Sequence, residues 1–591
     1  MVVTAELPLI CSAAALALVA VSLFLAPRSR TSTLVAVVSA ATATVTPLLL
    51  GASIEPARSA GRALWEWSAA GGPTVQASYR FDGIAAVALA VGAAYAAAGL
   101  FGAARATERH PLLPAAILAN GLVFFAVAVT EDLVAGTVVL GVLASITILA
   151  TLAVAPLPAT TRLSAYLAVG IQFFVLAALL ISRYGAASFR FDSIVPGAIS
   201  PGSILAASIG AALFAGLYPF IPWHFQTDLR APRLERLRGI VTMPAGVAAT
   251  VLLLRLLSTT RADVTTIALP DVPAILRVAV ALISVAAVAG VALRRGRVPR
   301  RAAVVCAIAT VLLAAYPALH WSHLILAAAL LCVLYATIVS LALPEQWDVV
   351  RYDVALAAFW IALAIGTPTA IAGGLFILVA DAVTALAESV WDGSHGSHVL
   401  VIAGSAATVT GLVIILTGTL DATDRGAQGL ALVDIFMIAA LVLVHAGRRI
   451  DRSEGPIALD GLGAAVAAGF AVLLGLLVAV PISQGVTLAL GRRFAPIVAT
   501  PLAFPAAVAL ATLLVIVARS LRPFVPELAP VADRLRAFMT VVDPVGPGHA
   551  AFAALDTIAS RTTATFALFE ERAGVWLATV LIIAVLVWSV R

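Results

Sequence analysis

Runs of about 20 consecutive apolar residues recur along almost the whole chain, and nothing else in the sequence constrains its fold as strongly. A helix of that length spans the ~30 Å hydrocarbon core of a bilayer. In lipid, every backbone donor and acceptor must be satisfied within the protein, which favours helices over open sheets. The runs read as spans at 7–26, 31–51, 83–103, 111–129, 133–156, 163–182, 202–222, 239–257, 272–293, 302–319 and 323–343. Further spans read at 399–419, 429–447, 459–480, 497–518 and 574–590. Residues 352–390 are too long for one simple span, and Gly366-Thr367-Pro368 and Gly373-Gly374 interrupt them. Either a broken helix with a tail or two short helices fits there. The expected fold class is all-α: a polytopic integral membrane protein of about 16–17 transmembrane helices. A C-terminal amphipathic segment, 520–573, precedes the last span.

Composition narrows the function. With 62% hydrophobic and 11% charged residues, the chain has no room for a soluble catalytic domain. All 36 basic residues are arginine, and there is no lysine. Arg28, Arg30, Arg105, Arg109, Arg162, Arg230, Arg238, Arg294, Arg301 and Arg351 fall in alternate loops. The positive-inside rule places those loops in the cytoplasm and the N-terminus outside, in a prokaryotic-type plasma membrane. The high pI therefore reports loop arginines, and no nucleic-acid surface. Glu6 and the lack of a basic leader argue against a cleaved signal peptide. Cys11, Cys306 and Cys332 are far apart in apolar segments, so neither a metal set nor a disulfide framework is expected. No nucleotide loop or nucleophile–base pair is present, so the expectation is no catalytic residue, no cofactor and no metal site.

Two breaks carry more information than the spans around them. Pro219 and Pro222 stand at the end of the seventh span, ahead of a turn holding Asp228, Arg230, Arg233, Arg236 and Arg238. Gly366 and Pro368 break the later segment. Proline removes a backbone donor, and broken membrane helices often mark an ion or substrate path. Pro219-Phe220-Ile221-Pro222-Trp223, Ala231-Pro232 and Val241-Thr242-Met243-Pro244-Ala245-Gly246-Val247, with Arg255 downstream, recur in order. Together they resemble the antiporter-like proton-channel subunits of respiratory complex I, Mrp-type antiporters and membrane-bound hydrogenases. Tyr79-Arg80-Phe81-Asp82-Gly83-Ile84 resembles that family's strand-like entry to the third helix. The resemblance implies two inverted repeats with broken helices, proton or sodium translocation, and neighbouring membrane subunits as partners beside the lipid. It also implies a Glu near Gly141, a Lys near Phe214, a His near Gly239 and a second Lys near Phe376, and this chain has none of them. The relay is therefore degenerate relative to the family.

The expected organisation is N-terminal helices over 1–110, a first antiporter-like repeat over 111–258 and a second over 259–395. C-terminal helices follow over 396–519, with a lateral amphipathic segment and last helix over 520–591. Ionisable residues inside a membrane are costly and are functional candidates by default. The candidates here are His224, Asp228, Arg255, Asp381, Glu388, Asp434 and His445. Asp381 and Glu388 share one helix face, though a solvated helix end explains them equally well. Asp434 and His445 read as interfacial, as does His224 at a helix exit. Glu131 and Asp132 read as a hydrated turn, and His320 and His323 as belt residues around Trp321. The expected function is a membrane subunit of an ion-translocating assembly. The competing readings are a stand-alone secondary transporter and a structural membrane subunit.

Overall fold

A computed structural model of the protein describes residues 6–25, 30–53, 62–68, 72–105, 112–154, 157–217, 232–259, 267–270, 319–342, 347–390 and 397–451. The predicted spans at 272–293, 302–319, 459–480, 497–518 and 574–590, and the segment 520–573, lie outside them, apart from residue 319. The described residues belong to the first of two compact units, Met1–Arg536.

Thirteen α-helices of the described residues make up an all-α polytopic membrane fold. The first eight are α1 (Glu6–Leu25), α2 (Arg30–Ser53), α3 (Gly83–Arg105), α4 (Leu113–Val129), α5 (Leu133–Leu152), α6 (Leu157–Arg183), α7 (Pro201–Ala215) and α8 (Pro232–Thr259). The others are α9 (Trp321–Ala342), α10 (Trp347–Ile365), α11 (Pro368–Val390), α12 (Ser397–Leu420) and α13 (Arg425–Asp451). By length and composition, eight of the helices can cross a membrane. One short antiparallel hairpin, β1 (Arg62–Ser68) and β2 (Thr74–Tyr79), enters α3, where the aromatic-Asp-Gly motif suggested a strand.

Helices α3, α8 and α11 form the buried centre. Helix α3 packs against α1, α2, α4, α8 and α11. It can do so because about two thirds of its residues are alanine or glycine, and small residues let membrane helices approach closely. Helix α11 packs in turn against α3, α10 and α12. A methyl group at Gly373 of α11 would lie 2.8 Å from the Gly411 carbonyl oxygen and the Ile415 backbone nitrogen of α12, so only glycine permits this crossing. Tryptophans fasten the helices: Trp321 Nε1 donates to Ser208 Oγ on α7 (2.8 Å), and Trp360 Nε1 donates to Thr250 Oγ1 on α8 (3.2 Å).

The segment 352–390 resolves into two helices separated at Gly366-Thr367. Gly366 takes φ 70°, a left-handed conformation that costs other residues about 1–2 kcal/mol, and Pro368 then opens α11. Helix α7 ends in the same way on Gly216, φ 64°, while Pro219 and Pro222 lie outside the described residues.

The described loops expected on the external side gather on one face. Glu131 N donates to the Ser78 carbonyl, and the Glu131 carbonyl accepts from Phe191 N. Arg80 N donates to the Val129 carbonyl, Leu133 N donates to the Phe189 carbonyl, and Ala268 bridges His320. Alternating spans require this shared face. That the face looks outward is the expectation from arginine placement.

Candidate functional site

Helices α3, α10 and α11 enclose the densest set of buried ionisable groups. Arg351 stands in the first turns of α10, where the sequence predicted a cytoplasmic loop. Instead it is buried, because Asp381 and Glu388 give its guanidinium two partners. Arg351 Nη1 lies 2.9 Å from Glu388 Oε2, and Nε lies 3.4 Å from Asp381 Oδ1. The Tyr95 hydroxyl of α3 donates to the other Asp381 oxygen at 2.6 Å. Tyr352 completes the wall: the Arg351 guanidinium carbon sits 5.0 Å from its ring centroid, and Tyr95 meets the same ring edge-on.

Two turns separate Asp381 from Glu388, so both side chains fall on one face of α11, as the sequence predicted. They are not a solvated helix end. Asp381 is 8% exposed and Glu388 7%. Asp381 lies about 20 Å along α11 from Pro368, at roughly 1.5 Å per residue, well inside the helix. A cavity of about 50 Å³ adjoins the cluster, lined by Arg351, Asp381, Thr384, Glu388 and Thr408 among others. Its size and the polar groups among its walls suit a few water molecules. One guanidinium faces two carboxyl groups. The three groups are neutral together only when they hold one proton more than in their fully ionised forms.

The remaining candidates divide. Asp434 of α13 is fully buried, and neither carboxylate oxygen has a hydrogen-bond partner among the described residues, which corrects the interfacial expectation. His445 is buried as well, with its ring stacked 4.3 Å from that of Trp347, which lines the Arg351 cavity. His224 and Asp228 lie outside the described residues. Arg255 is remote from the cluster. It clasps Asp82 through Nη1 at 2.9 Å and Nη2 at 3.1 Å, and donates to the Ala128 carbonyl at 2.9 Å. Asp82 also caps α3 by accepting from Ala85 N at 2.8 Å. The two sequence motifs that carried the resemblance therefore meet in one ion pair.

That ion pair borders a polar cleft of about 420 Å³ lined by Arg80, Asp82, Glu131, Asp192 and Arg255. Glu131 and Asp132 are buried there, contrary to the hydrated-turn reading. Asp132 Oδ1 caps α5 by accepting from Val134 N and Ala135 N, and its Oδ2 accepts from Gln76 N. Glu131 lies 3.3 Å from Arg190 and 3.6 Å from Arg80. Burial pushes the Glu131 carboxyl above its ordinary value, against the pull of Arg190 and Arg80. Truncating one partner of a buried pair costs about 3–5 kcal/mol. Asp82→Ala should therefore destabilise the chain by about that much, read as the thermal midpoint in detergent. An unchanged midpoint would mean that the clasp carries little stability.

Sequence reasoning missed Tyr95 and Arg351. The available signal was a single hydroxyl-bearing aromatic inside the Ala/Gly run of α3 and an arginine seated on a helix. Neither signal names its partner.

The fold can now be compared with solved structures. The chain superposes on a chain of the Mrp complex from Dietzia sp. DQ12-45-1b with a TM-score of 0.59 at 16% identity. All of this chain is covered, but only 63% of that one. It also matches a chain of the membrane-bound sulfane sulfur reductase, an archaeal respiratory membrane complex. There the TM-score is 0.51 at 15% identity, covering 87% of this chain and 97% of that chain. This is the antiporter-like membrane-subunit fold. No protein-family model and no curated protein matches the sequence.

Within the antiporter-like fold, the positions where the resemblance expects a relay are apolar. Phe214 and Phe376 are 2% and 1% exposed. A methyl group at Gly239 would lie 2.8 Å from the Tyr352 ring, so no larger side chain fits. Among the described residues, buried charge stands instead on α10 and α11, where Tyr95 reaches it from α3, at the Asp82–Arg255 clasp, in the 131–132 turn and at Asp434 of α13.

Proposed function

We propose that the chain is an ion-translocating membrane subunit of a multi-subunit respiratory or antiporter assembly, and that the Tyr95–Asp381–Arg351–Glu388 cluster exchanges protons within it. One observation carries the reading: a buried cluster with two carboxyl groups for one guanidinium, beside a small cavity of mixed polar and apolar lining. Charges cost too much inside a membrane to stand there without a structural or transport role. A neutral cluster holds one mobile proton, which Asp381 or Glu388 can carry in turn while Arg351 holds both in place. Asp434, buried on α13 without a hydrogen-bond partner among the described residues, is a further proton acceptor in this scheme. The assembly resides in a prokaryotic plasma membrane, with the N-terminus outside. Proton is favoured over sodium, because sodium needs several oxygen ligands and the cluster spends its own on Arg351 and Tyr95.

The reading depends on partners that drive the proton. Affinity purification of the tagged chain from its native membrane in mild detergent should recover other membrane or redox subunits in fixed ratio. Repeated recovery of the chain alone would overturn the subunit reading and leave a solitary transporter.

A further inference from the structure

We propose that His320, His323 and Asp424 form a zinc-type divalent metal site joining the start of α9 to the α12–α13 turn, a site separate from the buried cluster. His320 immediately precedes α9 and His323 lies in its first turn, while Asp424 immediately precedes α13. One carboxylate oxygen, Asp424 Oδ2, faces both rings, 3.6 Å from His320 Nδ1 and 3.5 Å from His323 Nε2. All three donor atoms lie within 4.8 Å of one another. Tetrahedral zinc with nitrogen and oxygen ligands at about 2.0–2.2 Å sets neighbouring donors about 3.3–3.5 Å apart. Two edges of that figure are already nearly in place, and the third closes by no more than about 1.5 Å.

The surroundings hold the ligands as a metal site requires. Asp424 divides its two oxygens: Oδ1 caps α13 by accepting from Gly426 N at 2.7 Å and Ala427 N at 3.2 Å, which leaves Oδ2 for the histidines. The His320 Nδ1 atom is buried and has no hydrogen-bond partner among the described residues. The backbone N–H of His320 donates to His323 Nδ1 at 3.2 Å, which orients the second ring before a metal arrives. On binding, the His323 proton moves from Nε2 to Nδ1 and that long hydrogen bond is released. Gly426 keeps the space clear, since a methyl group there would lie 2.9 Å from His323 Nε2. Two imidazoles and one carboxylate suit zinc, cobalt or nickel and disfavour calcium and magnesium, which take oxygen ligands. A fourth position is left for water. The ion would staple the start of α9 to the α12–α13 turn.

The probes are Zn²⁺, by equilibrium dialysis, and Co²⁺, whose visible bands report tetrahedral nitrogen–oxygen ligation. Both are applied to the purified full chain in detergent. The expected result is one bound Zn²⁺ that raises the thermal midpoint. Affinity should fall at least about tenfold, the scale of lost metal-site support, in His320→Asn/His323→Asn and in Asp424→Asn. Asparagine keeps Oδ1 and so keeps the α13 cap, which makes Asp424→Asn the variant that separates ligation from folding. His395→Asn/His398→Asn controls for the other close histidine pair in the sequence and should bind as the parent does. No zinc binding by the parent chain, or binding lost only in the His395/His398 variant, would overturn the proposal.

Discussion

Arg351→Ala is expected to destabilise the chain by about 3–5 kcal/mol, the cost of removing one member of a buried ion pair. Arg351 pairs with both Asp381 and Glu388, and its loss removes the positive charge that offsets their desolvation. The Tyr95 hydroxyl serves one Asp381 oxygen and cannot supply a charge. Arg351→Lys should recover part of the loss, since it restores the charge without the fork that reaches both acids. The triple variant Arg351→Met/Asp381→Asn/Glu388→Gln should be more stable than Arg351→Ala, because uncharged groups of similar size leave nothing unpaired. Unfolding midpoints of the four proteins in one detergent decide the matter. Equal midpoints for Arg351→Ala and the parent would mean that water reaches the cluster freely and that burial there is nominal.

The second large effect concerns transport. Asp381→Asn keeps the size of the side chain and an acceptor for Tyr95, but it cannot take up and release a proton. In proteoliposomes carrying the purified assembly, proton flux should fall at least about tenfold, a barrier increase of about 1.4 kcal/mol or more. Companion subunits should be retained and the melting midpoint nearly unchanged. Tyr95→Phe should give a smaller loss, since it removes a hydrogen bond and leaves the carboxyl group. Undiminished flux in Asp381→Asn would make the cluster a structural ion pair and turn attention to Asp434. The two experiments are complementary: one asks whether Arg351 holds the acids in place, the other whether an acid moves a proton.

Several features were legible before any coordinates. Span length is a local property, so the helices at Glu6–Leu25, Gly83–Arg105 and Leu133–Leu152 lie within a few residues of their predicted limits. The break at Gly366 and Pro368 was legible for the same reason, since left-handed glycine and donor-less proline act on their own backbone. The antiporter-like fold was legible through short motifs, two of which prove to be joined by Asp82 and Arg255.

Burial was misjudged wherever it depended on a distant partner. Asp434 and His445 lie near span ends, where hydropathy cannot tell a lipid interface from a helix–helix interface; packing of α13 on α9, α10 and α12 covers them. Glu131 and Asp132 look hydrated in sequence, and they are covered because the 72–82 and 188–191 segments close over their turn.

Apolar length and backbone breaks indicated which of the described segments form long apolar helices and where those helices stop, because those follow from neighbours in sequence. Only tertiary structure decided which charges are buried and with whom. Tyr95 and Asp381 are 286 residues apart, and Arg351 reads as a loop cation until α3, α10 and α11 come together. A buried charge persists only where its counter-charge is delivered, and that delivery is made by packing between helices.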